Sequence, residues 1–346
     1  VSSRRDPQAA ADVARLAAYL MSGSLRYARG IADDVEAAIA GESGAEALAA
    51  PGAGGEAEPG ASPAGVVARC ARDLDGRPAR TLPLWAGAAG RSGPWLEPFP
   101  DHLYPELPAS PHLAPRETID LAFVAALQYL PPEDRAAIVL GDVLAPAWPP
   151  DTAAPAPHGP GTATDAALAA AHARLVRARA ALVGTGGGAG TPDGESTAGD
   201  EAALMLRLVF HCESADHDGL AALLAADATL QCVPDGVTLR GREAVADGLL
   251  RGEATAGRRS PGPPGLPLAP GLRRLLPRRA NGRLAFGAYR RRAHGEPFRA
   301  HCLLVVAMSG PLATGVVSFA LPSLFSAFDL LGELAPQGER QRAEQM

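Results

Sequence analysis

Four stretches rich in proline and glycine divide this chain. Residues 51–63 read PGAGGEAEPGASP and residues 184–199 read GTGGGAGTPDGESTAG. Residues 83–115 are proline-rich and irregular. Residues 145–164 hold six prolines: Pro146, Pro149, Pro150, Pro155, Pro157 and Pro160. Proline removes a backbone donor and collides with the preceding turn, so no ordinary helix survives that density. The glycine-rich stretches have the composition of flexible breaks and linkers. A chain of 346 residues cut in this way is expected to hold two or three domains, with ample length for real cores.

Between the breaks the apolar periodicity changes. Asp12–Ala50 reads as helical, with Val13, Leu16, Leu20, Val35 and Ile39 at apolar positions. A short helix is expected over Ala64–Leu74, ended by the turn Asp75-Gly76-Arg77-Pro78. Ile119, Phe123, Leu127 and Leu130 stand at helical spacing, Pro131-Pro132 punctuates, and a helix follows over Glu133–Val143. Asp165–Leu182, Glu201–Ser214 and Asp218–Leu224 read as further helices. Strand-like stretches then come at Thr229–Val233, Leu284–Tyr289, Phe298–Ala307 and Ala313–Phe319. The fold class expected is multi-domain, with all-α parts followed by an α+β cone, a curved antiparallel sheet with helices.

Composition narrows the setting. No window approaches the 18 or so uninterrupted apolar residues of a membrane span. The start, Val1-Ser2-Ser3-Arg4-Arg5, lacks the apolar core of a signal peptide, so a cytoplasmic protein is expected. Cys70, Cys212, Cys232 and Cys302 form no CxxC pair; free buried thiols are expected, with no metal site and no cofactor. All 32 basic residues are arginine, and the net charge of −6 does not favour a nucleic-acid binder taken whole.

Several segments carry a family resemblance. Trp95-Leu96-Glu97-Pro98-Phe99-Pro100-Asp101 is similar to a linker motif of sigma factors with SnoaL-like tails. ETIDLAFVAALQYLPPEDRAAIVLGDVL (117–144) resembles the first half of their region 4. Ala17-Ala18-Tyr19-Leu20-Met21-Ser22-Gly23-Ser24 resembles the start of region 2, and CARDLDGRPARTLP (70–83) its end. Arg240-Gly241-Arg242-Glu243-Ala244-Val245, Arg279-Ala280-Asn281-Gly282 and Phe298-Arg299-Ala300-His301 match the fused domain. The chain thus resembles an extracytoplasmic-function sigma factor of the sigma-70 family with a C-terminal SnoaL-like domain. The resemblance implies a region 2-like helical domain over 1–84, a linker over 85–115 and a region 4-like helical domain over 116–183. A second linker over 184–199, a SnoaL-like domain over 200–336 and a tail over 337–346 complete it.

The departures from that pattern fall on the working parts. The resemblance implies an acidic stretch after Gly23-Ser24 that docks on the polymerase clamp. Here it reads Leu25-Arg26-Tyr27-Ala28-Arg29-Gly30-Ile31-Ala32-Asp33-Asp34, with several acids missing or displaced. The aromatic, basic helix that melts promoter DNA is reduced to Val66-Val67-Ala68-Arg69-Cys70-Ala71-Arg72, which offers no ring to stack on a base. The six prolines of 145–164 stand where a support helix precedes the recognition helix. Arg174, Arg177 and Arg179 resemble the end of a recognition helix and are the candidate nucleic-acid contacts; a solvated surface is the alternative. Residues 117–182 hold seven acids against four Arg, the reverse of what phosphate binding wants.

The fused domain offers other candidates. Its polar groups are His211, Asp216, His217, Asp227, Tyr289 and His301. Strand alternation puts His301 on one face with Arg299, Leu303, Val305 and Ala307, and both faces are apolar past 302, as in a central strand. His301, Tyr289 and Asp227 are therefore candidate catalytic groups at the wall of an apolar pocket, with His301 moving a proton and Tyr289 or Asp227 orienting a substrate. The alternative is a core histidine without an Asp partner and a packing tyrosine. His211 and His217, six apart, lack metal-ligand spacing. Residues 251–299 hold twelve Arg against Glu253 and Glu296, read as a solvated Pro/Gly-rich insert or as a surface for an anionic partner.

Three functions compete. The first is a sigma-type factor in transcription initiation, with core RNA polymerase as weakened partner, promoter DNA as the partner most in question, and the SnoaL-like domain regulating. The second is a secondary-metabolism enzyme of cyclase or isomerase type, using the cone for acid–base work on a small, polyketide-like molecule. The third is a non-catalytic sensor that holds a small-molecule ligand.

Overall fold

A computed structural model describes residues 7–46, 62–80, 94–107, 118–144, 196–251 and 269–336, together with 173, 176 and 177. The chain divides into two compact units. The first comprises Val1–Thr81 and Leu96–Gly190, the second Leu82–Trp95 and Thr191–Met346.

The first unit is helical. Its elements are α1 (Pro7–Ser22), α2 (Leu25–Glu46), α3 (Pro63–Leu74), α4 (Leu121–Gln128) and α5 (Pro132–Ile138), which runs into a π-helical turn over Val139–Leu144. The helical run expected over Asp12–Ala50 is two helices, broken at Gly23-Ser24. Gly23 has φ +64°, and a Cβ there would lie 2.5 Å from Leu96 Cδ1. Only glycine turns the chain left-handed in that space at no steric cost. α1 buries every residue from Leu16 to Ser22 because α2, α3 and α4 all pack on it. Ser62 caps α3 by accepting from Gly65 N at 3.1 Å, with Pro63 in the first turn, where its missing N–H costs nothing.

One buried arginine ties these helices together. Arg135 of α5 directs all five N–H donors at oxygen acceptors. Nε donates to Leu127 O (2.9 Å), Nη1 to Met21 O and Gln128 Oε1 (3.1 Å), and Nη2 to Gln128 O (3.1 Å) and Leu130 O (3.0 Å). It thereby satisfies the C-terminal carbonyls of α1 and α4.

The second unit is a seven-stranded sheet with helices. It contains α6 (Ala198–Ser214), α7 (His217–Ala221), β1 (Leu224–Val233), β2 (Val237–Arg240) and α8 (Arg242–Arg251). There follow β3 (Arg273–Ala280), β4 (Arg283–Arg290), β5 (Phe298–Ser309), β6 (Leu312–Phe319) and β7 (Glu333–Leu334). The strand order is β2-β1-β6-β5-β4-β3, with β7 paired to β5. Only β1 and β6 run parallel; every other pair is antiparallel. Thr197 and Asp200 form a reciprocal capping box that starts α6.

The inner face of the sheet holds Leu230, Cys232, Leu284, Phe286, Leu304 and Val306 against the apolar sides of α6, α7 and α8. The other face is covered by the 3-10 turn Pro322–Phe328: Gly287 leaves room for Leu330 and Phe325, and Tyr289 stands edge-on to Phe325 at 5.1 Å. β5 is accordingly central and covered on both sides, as its sequence predicts. All four cysteines are free and buried.

The sequence reading omits β2, α8, β3 and β7. Residues 273–280 fall within the arginine-rich stretch 251–299, much of which reads as a Pro/Gly-rich insert, and Pro277 sits mid-strand between arginines. β3 pairs only with β4, and such an edge strand tolerates a proline. The expected helix Asp165–Leu182 is described only at Ala173, Val176 and Arg177, which are helical. The prolines of 145–164, the breaks at 51–61 and 184–195, and the insert residues 252–268 lie outside the described residues.

Candidate functional site

Two places gather functional side chains, one in each unit. In the helical unit, the first turns of α2 expose Arg26, Arg29, Gly30, Asp33, Asp34 and Glu36. Their mounting comes from the motif around Glu97. Its backbone N donates to Gly23 O (3.0 Å), and its carbonyl accepts from Tyr19 Oη (2.8 Å). Its carboxylate takes Ser24 Oγ and Arg26 N at 3.2 Å and Arg80 Nη1 at 3.3 Å. Glu97 thus caps the start of α2 with an acid, where the helix dipole favours one.

Asp34, on the exposed side of α2, accepts from Arg69 Nη2 of α3 at 2.8 Å. α3 buries Val66, Val67 and Cys70 and exposes Ala68, Arg69 and Arg72. No aromatic stands on that helix, and one of its two exposed arginines is committed to Asp34. Of the proposed nucleic-acid contacts, Arg177 is helical and exposed; Arg174 and Arg179 lie outside the described residues.

In the second unit a cavity of about 30 Å³ lies between the sheet and the helices, with Arg273, Arg290, His301, Cys302 and Ser318 among its lining. That volume holds about two water molecules. His301 is in the wall, but by a different route from strict alternation. The β4–β5 register shifts: Ala288 faces Cys302 while Tyr289 faces Ala300, leaving His301 as the extra residue. A bulge of this kind re-aims a side chain. It turns His301 to the inner side with Cys302 and Leu304, away from Leu303 and Val305.

The cavity does not collect the other expected groups. Tyr289 borders it, yet its hydroxyl donates to Leu331 O at 2.8 Å and its ring packs on Phe325. Asp227 is exposed on β1 and does not line the cavity. Burial, then Arg290 and Arg273, push the His301 pKa down to about 3. At neutral pH the imidazole is neutral: a hydrogen-bond donor and a poor base.

A His–Asp pair does exist, elsewhere. Asp216 Oδ2 lies 2.7 Å from His211 Nδ1, and an ionised carboxylate only accepts, so Nδ1 carries the proton. Asp216 also caps α7 by accepting from Gly219 N at 3.0 Å, and a Cβ at Gly219 would sit 2.1 Å from His211 Nδ1. The five-residue spacing crosses the left-handed Ala215 (φ 56°), so helical periodicity does not reveal it. Among the described residues no group of His, Cys, Asp and Glu is arranged to hold a metal ion.

Sequence reasoning misses Arg273 and Arg290 as site residues. The signal for them is the two-residue turn Asn281-Gly282, both at positive φ. Such a turn fixes hairpin register. Counting outward from the Ala280–Arg283 pair puts Arg273 opposite Arg290, where the structure has it.

No protein-family model matches the chain. It is 30% identical over 272 residues to the ECF RNA polymerase sigma factor SigG of Mycobacterium tuberculosis, covering 75% of this chain and 67% of that protein. The same identity holds for SigG of a second strain. The chain belongs to the extracytoplasmic-function RNA polymerase sigma factor family. Its role is accordingly of the sigma-factor type, in transcription, and its second unit is an α+β domain.

Among solved structures, this family member is similar to the extracytoplasmic function sigma factor SigJ of M. tuberculosis. The identity is 19%, the TM-score 0.48, and 94% of this chain and 98% of that one are covered. An NTF2-like protein of Burkholderia xenovorans is 18% identical, with a TM-score of 0.23 and coverage of 36% and 92%. The family assignment rests on the SigG relative. Among the described residues no helix is long and apolar enough to cross a membrane.

Proposed function

We propose that this sigma-family chain docks on core RNA polymerase through the exposed first turns of α2, reads promoter DNA poorly by itself, and uses its SnoaL-like unit for regulation. The observation that carries the reading is the 30% identity to SigG over three quarters of the chain. The mixed charge of α2 supports weakened docking: Arg26 and Arg29 stand exposed beside Asp33 and Glu36, and Asp34 is drawn to Arg69. Removing one charge-assisted hydrogen bond to a partner costs about 1.5–3 kcal/mol.

Competition for purified core polymerase tests this. The chain is expected to bind, and to be displaced by SigG. Arg26→Glu with Arg29→Glu is expected to tighten binding, and Asp33→Arg with Glu36→Arg to weaken it. Core affinity indifferent to both changes would remove α2 from the interface.

Turnover in the cone has less support. Room for about two waters does not admit a polyketide-sized substrate, His301 is a poor base, and Tyr289 and Asp227 are directed elsewhere.

A further inference from the structure

Among the described residues, the cavity of the second unit is lined by two cations and no anion. Arg273 and Arg290 are directly paired across β3 and β4, and both line the cavity. Directly opposed like charges on a sheet repel. Arg273 is 9% exposed; Nη1 donates to Leu249 O, while Nε and Nη2 are buried with no hydrogen-bond partner. Among the described residues no Asp or Glu lines the cavity and neither guanidinium forms an ion pair. Burial lowers the proton affinity of both, and each lowers that of His301 beside them.

Arg135 shows what this sequence does with a buried guanidinium that is purely structural: all five donors find oxygens. Desolvating a cation without a counter-charge costs several kcal/mol, and two side by side cost more. Such an arrangement persists when something supplies the missing charge.

We infer that the cavity of the second unit is a binding site for a small carboxylate, held between Arg273 and Arg290. The free Nε and Nη2 edge of Arg273 has the fork geometry that takes a carboxylate's two oxygens. The neutral imidazole of His301 supplies a further N–H. Room for about two waters is on the scale of a carboxylate head. The apolar remainder of the wall, Leu230, Leu249, Leu275 and Leu304, fits a weakly hydrated monoanion better than a dianion. The inference goes beyond the transcription reading and does not rest on it, since every residue of the proposed site lies in the second unit.

Sodium formate, exchanged for sodium chloride at constant ionic strength and pH 7.5, is the probe for the full chain. Saturable heat by calorimetry, a saturable rise in Tm and a shift of the His301 ring NMR signals are expected. Arg273→Met and Arg290→Met remove one cation each and are expected to weaken formate binding by about tenfold or more. Both variants should match or exceed the wild type's Tm in chloride, because an unpaired buried charge has gone. Arg273→Met also loses the bond to Leu249; if it unfolds, Arg290→Met and the wild-type His301 shift decide. Wild type with no saturable heat and an unmoved His301 signal would mean that the cavity holds water alone, which overturns the inference. Binding undiminished in Arg290→Met, or phosphate or sulfate displacing formate at lower concentration than formate itself requires, would overturn it as well.

Discussion

A buried arginine and the cavity histidine define the residue scale. Arg135 is saturated with oxygen partners, and burial still pulls its pKa down to about 10. Lysine at this place has three donors on one atom and cannot serve five acceptors spread over Met21, Leu127, Gln128 and Leu130. Arg135→Lys is expected to lower the stability of the helical unit by about 3 kcal/mol, since buried carbonyls lose their donors. Urea unfolding followed by circular dichroism measures it; a loss under about 0.5 kcal/mol would show that the network is dispensable. His301 gives a pH signature. Its folded pKa of about 3 lies below its ordinary 6.5, so between those values the unfolded chain holds more protons. Stability therefore falls as pH drops through that window, by at most about 1.4 kcal/mol per unit. Arg273 and Arg290 stay cationic throughout, and the Cys212 and Cys302 thiols, raised by burial, stay neutral. Without added carboxylate, His301→Leu is expected to flatten the slope between pH 4.5 and 6.5 relative to the wild type. Parallel slopes would place the titration elsewhere.

At the scale of elements, the α1–α2 corner shows why a short motif far along the chain matters to a turn near its start. Leu96 closes over Gly23, and Glu97 caps α2. Gly23→Ala puts a side chain at φ +64° and against Leu96, and a loss of at least about 1–2 kcal/mol is expected. Glu97→Ala removes three side-chain bonds and should loosen the same corner. Hydrogen exchange of the α2 amides reads both changes. Protection unchanged at Ser24–Ala28 in the two variants would mean that the corner holds itself. Elements were legible where local chemistry governs them: α4 from apolar residues at helical spacing, β5 from its alternation. β3 was not, because its arginines and Pro277 mimic a solvated loop, and only its place at the sheet edge makes them tolerable.

For the whole molecule, charge and family pull in different directions. The net charge is −6, Arg69 of α3 is paired with Asp34, and Arg273 and Arg290 line a cavity of the second unit rather than an open face. Free protein is expected to bind duplex promoter DNA weakly, with Kd on the order of 10⁻⁴–10⁻⁶ M at physiological salt and no sequence preference. Titration of labelled promoter and scrambled duplexes checks this; tight binding to the promoter alone would restore a DNA-reading role to the free chain.

Sequence by itself determined what neighbouring residues decide. Periodicity marked the helices around Leu16 and Leu127, and alternation marked β5. The family resemblance was legible too, because it resides in contiguous motifs. Tertiary structure alone decided the side-chain destinations that depend on distant partners. A one-residue bulge against β4 turned His301 from the face of Leu303 to that of Cys302, and a carbonyl 42 residues away took the Tyr289 hydroxyl. Asp227 stayed in solvent, and Arg135 was satisfied by a helix end more than a hundred residues earlier. Facing and burial are set by what packs on the other side, and that information is nowhere local in the chain.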